Sequence, residues 1–324
     1  MRRLVALAAA LALAGCGGTE PRPAPEPAPS VVATDPGPFR SGPVAAPDRG
    51  ALVGAWVQPE SYRQAGRIGA MDELQRRLGR RLDIVNTYRR FDQRFGTESD
   101  EEFIRQGQTI MLSWASGDTR SITSGRHDDL IRAQARRVRA AGVPILLRFR
   151  WEMDRPNLRA TMWSAADFVA AWRHVRRIFD EERARNASWV WCPTAEGFAR
   201  GEAPEFYPGD DAVDWTCVDV YAASDFRPLR ELMAPFLRWA AGHPKPIIVG
   251  EFGVAREWGS AARAAWLRDA AVLFKANPQI KAVSYFESDP EGNKGPKQQF
   301  RLADDPSAFA EFRAMAQDRY FRRS

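Results

Sequence analysis

Eight short apolar runs punctuate the chain beyond residue 50. They are ALVGAWV (51–57), LDIVNTY (82–88), TIMLSW (109–114), PILLRF (144–149), SWVWCP (188–193), VDWTCVDVY (213–221), PIIVGEFG (246–253) and KAVSYFES (281–288). Each has the length of a strand, and most are separated by segments with helical apolar spacing. MDELQRRL follows the first run. DDLIRAQARRVRAAG follows the third and stops at Gly142, a C-terminal helix signal. SAADFVAAWRHVRRIFDEERAR follows the fourth, with Ser164 and Asp167 spaced as a capping box. PLRELMAPFLRWAAG follows the sixth and is expected to be interrupted at Pro235. SAARAAWLRDAAVLFKAN follows the seventh, and PSAFAEFRAMAQDRY closes the pattern. Strands alternating with helices predict an α/β fold with a parallel sheet. Eight of them within one domain-sized stretch predict a single (β/α)8 TIM barrel over residues 51–324. No glycine-rich phosphate loop follows the first run, which argues against a nucleotide-binding open sheet.

The first 50 residues follow a different pattern. MRRLVALAAALALAGC places two arginines before an apolar run too short to span a bilayer as a stable helix. Leu13-Ala14-Gly15-Cys16 resembles a bacterial lipobox, which implies a signal peptide over 1–15 and lipidation of Cys16. Residues 16–50 are rich in Pro, Ala and Gly and read as a disordered tether. The expected location is therefore outside the cytoplasm, anchored by lipid to a bacterial membrane on the periplasmic or cell-surface side.

Charge alters this picture little. Loss of Arg2 and Arg3 with the signal takes the net charge from +6 to +4. The arginines are interleaved with acids along helices, as in RRIFDEERAR, so they read as solvated faces and no nucleic-acid partner is expected. Besides Cys16 only Cys192 and Cys217 occur; both sit in apolar runs and read as buried free thiols, although an exported location permits a disulfide. Those cysteines and His127, His174 and His243 have no metal-ligand spacing, so neither metal nor cofactor is expected. The five lysines offer no Schiff-base candidate at a strand end.

In such a barrel the C-terminal strand ends carry the chemistry. Here those ends are crowded with acids and aromatics: Trp114 on the third, Glu152 just past the fourth, Trp191 on the fifth, Asp219 and Tyr221 on the sixth, Glu251 on the seventh, and Tyr285 and Glu287 on the eighth. Two facing carboxylates about 5–5.5 Å apart are the requirement for retaining glycoside hydrolysis. Glu152, between Trp151 and Met153, has an apolar setting that suits an acid.

The segments GVPILLRFRWEMD, WVWCP, FYPGDDAVDWTCVDVY and IIVGEFG, in this order, resemble glycoside hydrolase family 26, whose founding activity is β-mannanase. The resemblance runs from about residue 51 to 290. It implies Glu152 as acid/base and Glu251 as nucleophile, with Asp219, Tyr221 and Arg148 contacting sugar or nucleophile. The family motif Arg-x-x-His-Glu-Met-Asn here carries Trp151 for the His and Asp154 for the Asn. Trp151, Asp154, Trp114, Trp191, Tyr285 and Glu287 complete the expected substrate contacts. The implied function is a monomeric, endo-acting retaining glycosidase that cuts β-mannan or a related β-linked polysaccharide. The alternative is a catalytically impaired carbohydrate-binding lipoprotein on the same fold.

Overall fold

In the computed structural model the described residues are 41–290 and 295–322. The expected signal peptide, the lipid site at Cys16 and residues 16–40 of the expected tether lie outside them. Within them, eight parallel strands close into a barrel in sequence order. The strands are β1 (Leu52–Val57), β2 (Ile84–Arg89), β3 (Thr109–Trp114), β4 (Ile145–Phe149), β5 (Ala187–Trp191), β6 (Trp215–Ala222), β7 (Ile247–Val254) and β8 (Ile280–Glu287). Each apolar run is thus a strand, displaced by one or two residues at its ends, and the (β/α)8 barrel is borne out.

Three expectations need correction. Residues 41–50 do not continue a free tether. The Val44 N–H donates to Ser188 Oγ at 2.9 Å, and Trp215 Nε1 donates to the Ser41 carbonyl at 2.9 Å. This segment lies against the N-terminal end of the barrel, with Val44 buried. Second, the helix Leu229–Ala240 runs through Pro235 without a break. Its buried stripe of Leu229, Leu232, Met233, Phe236 and Ala240 packs on both sides of the proline, and that packing outweighs one missing N–H. Third, Cys192 and Cys217 are joined as a disulfide. The pairing of Trp191 with Thr216 places the two cysteines side by side on the inward faces of neighbouring strands. A further helix, Glu98–Arg105, joins β2 to β3 and was not evident in the apolar pattern; its start is held by the Thr97 N–H donating to Asp100 Oδ2 at 3.0 Å.

Alternation along the strands decides what reaches the barrel interior. Leu52, Ile84, Met111, Leu146, Val190, Trp215, Ile248 and Ala282 form the inner core. Residues one step away, such as Val53, Val85, Leu112, Leu147, Val218 and Val283, face the helices and form the larger outer core. On β7 the alternation is interrupted. Register shifts between Val218 and Asp219 on one side and between Val249 and Phe252 on the other. The irregularity turns Glu251 inward opposite Asp219 while Phe252 returns to the outer core.

Gly250 sits at this irregularity. A Cβ there would lie 2.5 Å from Cys217 Sγ, 2.8 Å from Asp219 Oδ1 and 3.0 Å from Arg148 Nη1. Gly250→Ala is therefore expected to cost about 1–3 kcal/mol by overpacking and to displace Glu251. Urea unfolding and activity of the variant check this; a stable, fully active variant would show that the bulge does not need glycine.

Candidate active site

The site begins where β4 ends. After Phe149 the backbone enters the left-handed region at Arg150 (φ +43°) and again at Glu152 (φ +55°). Non-glycine residues held there cost about 1–3 kcal/mol each. The turn is pinned by two backbone bonds, Arg150 N–H to the Trp114 carbonyl at 2.8 Å and Glu152 N–H to the Cys192 carbonyl at 2.7 Å. It thus hangs from the tips of β3 and β5 and aims Glu152 over the barrel mouth.

Beneath it lies Arg148, completely buried. Its Nη1 donates to both oxygens of Asp219 at 2.9 Å, its Nη2 donates to Glu251, and its Nε donates to Ser113 Oγ at 2.8 Å. Ser113 Oγ in turn donates to Asn86 Oδ1 at 2.6 Å. Glu251 also accepts from the Tyr88 hydroxyl on one oxygen and the Tyr221 hydroxyl on the other. Among the described residues one side chain donates to the Glu152 carboxyl, Arg155 through Nη2 at 2.7 Å. Oxygens of Glu152, Asp219 and Glu251 lie within 4.8 Å of one another.

The two glutamates therefore differ in their environments. Burial drives the Glu152 carboxyl from its ordinary 4.5 up to about 8, with the Arg155 charge opposing and the Glu251 charge assisting. Burial also acts on Glu251, but the Arg148 guanidinium and the two tyrosine hydroxyls outweigh it and hold that carboxyl below its ordinary value. Asp219 is pushed well above the carboxylate range by burial, with Arg148 opposing. At neutral pH Glu152 carries a proton and Glu251 is ionised. This is the split that two-carboxylate chemistry needs.

A cleft of about 990 Å³ opens over this pair. Trp56, Tyr88, Trp151, Tyr221, Phe286 and Phe300 line it. The Tyr88 and Trp151 rings meet at 5.0 Å, and the Arg148 guanidinium lies 5.3 Å from the Trp151 ring. Aromatic faces with polar tips suit sugar rings.

Five expected sugar contacts are elsewhere. Trp114 is buried among Phe91, Phe149 and Phe179, and Trp191 among Phe198, Tyr207 and Trp239. Tyr285 donates to the Phe300 carbonyl at 2.7 Å behind the barrel wall. Glu287 accepts the Leu302 N–H at 2.9 Å and the Ala303 N–H at 3.1 Å. All four occupy outward positions of their strands, so their side chains leave the barrel rather than enter it. Asp154 is buried and accepts from the Thr194 N–H at 3.0 Å and the Thr194 hydroxyl at 2.6 Å. It fastens the loop after β5 and stands outside the cleft lining. Arg148, Trp151, Glu152, Asp219, Tyr221 and Glu251 do converge. Tyr88, Trp56, Phe286 and Arg155 join them and were not anticipated. Inward alternation on β1, β2 and β8 was the available signal for the first three.

Comparison with known proteins agrees with this architecture. Residues 103–242 match the family model described as glycosyl hydrolase family 26, so the family resemblance read from the strand ends holds. Endoglucanase H of Acetivibrio thermocellus is 28% identical over 290 residues, covering 82% of this chain and 30% of that protein. Beta-1,3-xylanase TXYA of a Vibrio species is 30% identical over 145 residues, covering 42% of this chain and 29% of that protein. The chain thus spans under a third of the length of these curated relatives. Among solved structures, a modular endo-beta-1,4-mannanase from Cellulomonas fimi superposes with a TM-score of 0.64 at 17% identity, over 84% of this chain and 72% of that one. That likeness is one of fold.

The environment of Glu152 has a consequence for stability. Between about pH 4.5 and 8 the unfolded chain has released this proton and the folded chain retains it. Stability from this group therefore falls as pH rises through that window. Glu152→Gln removes the slope, so its advantage over the parent in Tm should grow from pH 5 to pH 8, by about 2–4 °C per kcal/mol gained. Parallel Tm curves across that range would show that Glu152 titrates alike in both states.

Proposed function

We propose that this chain is an endo-acting retaining glycoside hydrolase of the family 26 type, cutting β-linked polysaccharide by double displacement. The observation that carries the reading is the pairing of a protonated Glu152 with an ionised Glu251, their oxygens within 4.8 Å. That spacing leaves no room for a water between carboxylate and sugar, as inversion would require. The relatives, an endoglucanase, a beta-1,3-xylanase and an endo-beta-1,4-mannanase, support a β-glycan as substrate class. We further propose export and lipid attachment through Cys16, on the strength of the Leu-Ala-Gly-Cys signal.

In the first step a Glu251 oxygen attacks the anomeric carbon, and the Glu152 proton passes to the leaving glycosidic oxygen. A glycosyl ester on Glu251 results. In the second step Glu152, now ionised, takes a proton from water as that water attacks the same carbon and frees Glu251. Arg148 and the Tyr221 and Tyr88 hydroxyls fix which Glu251 oxygen points at the sugar. Asp219 holds Arg148 from the other side and positions it.

Glu251→Ala should lower turnover of a cleaved β-glycan at least about a thousandfold, with folding retained. Added azide should restore part of the activity and yield the glycosyl azide inverted at the anomeric carbon. Residual activity within a few fold of the parent would overturn the nucleophile assignment. The pH profile tests the acid. Arg155 lowers the Glu152 pKa, so Arg155→Gln should move the alkaline limb of kcat/KM to higher pH. An unmoved limb would remove Glu152 as the group titrating there.

A further inference from the structure

We infer that the cleft takes an anionic β-glycan, one whose sugars carry carboxylate or sulfate groups, read by Arg67, Arg90, Arg155 and Arg227. This rests on the hydrolase reading for the direction in which the chain is threaded, but not for the charge of what binds. The four arginines line the cleft described above and reach it from four different strand-to-strand connections, after β1, β2, β4 and β6, Arg67 from the first turn of the helix Gln64–Leu78. They therefore surround it rather than stud one edge.

Their partners leave much of this charge available. Arg67 is half-buried, its Nε donates to the Tyr62 carbonyl at 3.1 Å, and among the described residues it has no carboxylate within ion-pair distance. A guanidinium partly stripped of water and lacking a counter-charge is a site that an anion completes. Among the described residues Arg90 and Arg227 pair only with Asp92 and Asp225, at 3.2 Å and 2.8 Å. Both pairs are exposed, with side chains from 45% to 74% accessible. Such surface pairs are worth little and exchange readily for a ligand anion. Arg155 faces Glu152, which holds a proton at neutral pH, so its charge too lacks a full counterpart. The lining acids are Glu152, Glu196, Asp225 and Glu251, against these four arginines and Arg89, which Asp100 already neutralises at 2.6 Å. With Glu152 protonated, the cations outnumber the anions along the cleft. Guanidinium forks also match carboxylate and sulfate oxygens in plane, in a way that suits specific recognition. A neutral glycan needs none of this.

The test measures binding by the Glu251→Ala protein, which does not turn over. The probes are β-mannan and β-glucan with and without oxidation of C6 to the uronate, glucuronoxylan with and without carboxyl reduction, and a sulfated β-glucan. On at least one backbone the charged form should bind about tenfold more tightly at about 20 mM salt, and the preference should collapse by about 0.5 M. The uronate and sulfate arms separate the two sources of charge. Arg67→Gln and Arg227→Gln should each reduce the charged-to-neutral ratio several-fold, and Arg67→Lys, which keeps the charge but not the fork, should fall between Arg67→Gln and the parent. Because these residues lie on separate connections, a folding failure in one leaves the other informative, and the salt dependence of the parent needs neither. Equal binding of charged and neutral forms on every backbone, or no binding of any, overturns the inference, as does a ratio unmoved by both Gln variants. If the active protein cuts the neutral polymers without preference, only the charge inference fails. If the charged polymers bind with preference yet none is cut, only the hydrolase reading fails.

Discussion

The site depends on one buried cation. Arg148 has no access to solvent, and both of its nitrogen tips are committed to carboxylates, Asp219 through Nη1 and Glu251 through Nη2. A guanidinium in that position is tolerable only if every donor is satisfied. The sequence supplies the needed partners from four strands: Ser113 on β3 for Nε, Asp219 on β6, Glu251 on β7, and Tyr88 on β2, whose hydroxyl accepts from Nη2 at 3.2 Å. Arg148 itself comes from β4. Removing any one of these leaves a buried charge short of a partner, which is far more costly than losing an exposed pair. The barrel is thus locked into one register at its mouth by electrostatics, while its floor is locked by packing of the inner core.

Placing Glu251 against that cation required a departure from regular strand geometry. Strict alternation on β7 would send residue 250 inward with Ile248 and leave Glu251 in the outer core. The irregularity around Gly250 turns residues 250 and 251 both inward, and only a residue without a Cβ fits between Cys217, Asp219 and Arg148. Glu152 required a second departure, the left-handed turn at Arg150 and Glu152. Both departures adjoin the two glutamates, and the turn after β4 is held by hydrogen bonds to the Trp114 and Cys192 carbonyls. Stability is given up where function needs geometry, a common pattern in enzymes.

How far the sequence could be read follows from the same facts. Strand positions were legible because fully buried parallel strands are continuous apolar runs. The converging acids were legible because a barrel places its chemistry at strand ends. Which rim side chains turn inward was not read from strand ends alone. Trp114, Trp191, Tyr285 and Glu287 sit at the right height but on the wrong side of the wall, and alternation from Ser113, Cys192 and Ser284 would have indicated this. Alternation would equally have pointed to Tyr88 through Asn86. It would have misplaced Glu251, because the bulge that rescues it depends on pairing with β6, which a single chain of letters does not display. The disulfide was open for a similar reason: only the pairing of β5 with β6 puts Cys192 beside Cys217.

The division of labour between the glutamates follows from how donors are distributed. One fully buried cation can hold one buried anion at little cost, and the two acids that touch Arg148 are Asp219 and Glu251. Glu251 wins, because it alone adds two tyrosine hydroxyls to the guanidinium, and each of these donates to the ionised form. Glu152 has only Arg155, whose side chain is 47% exposed and shares its charge with water. The proton therefore resides where donors are scarce and burial is complete. Trp151 bounds this network on the side of the cleft, its ring 5.0 Å from that of Tyr88 and 5.3 Å from the Arg148 guanidinium. Burial thus keeps the proton on Glu152 although the Arg155 and Arg148 charges both work to remove it.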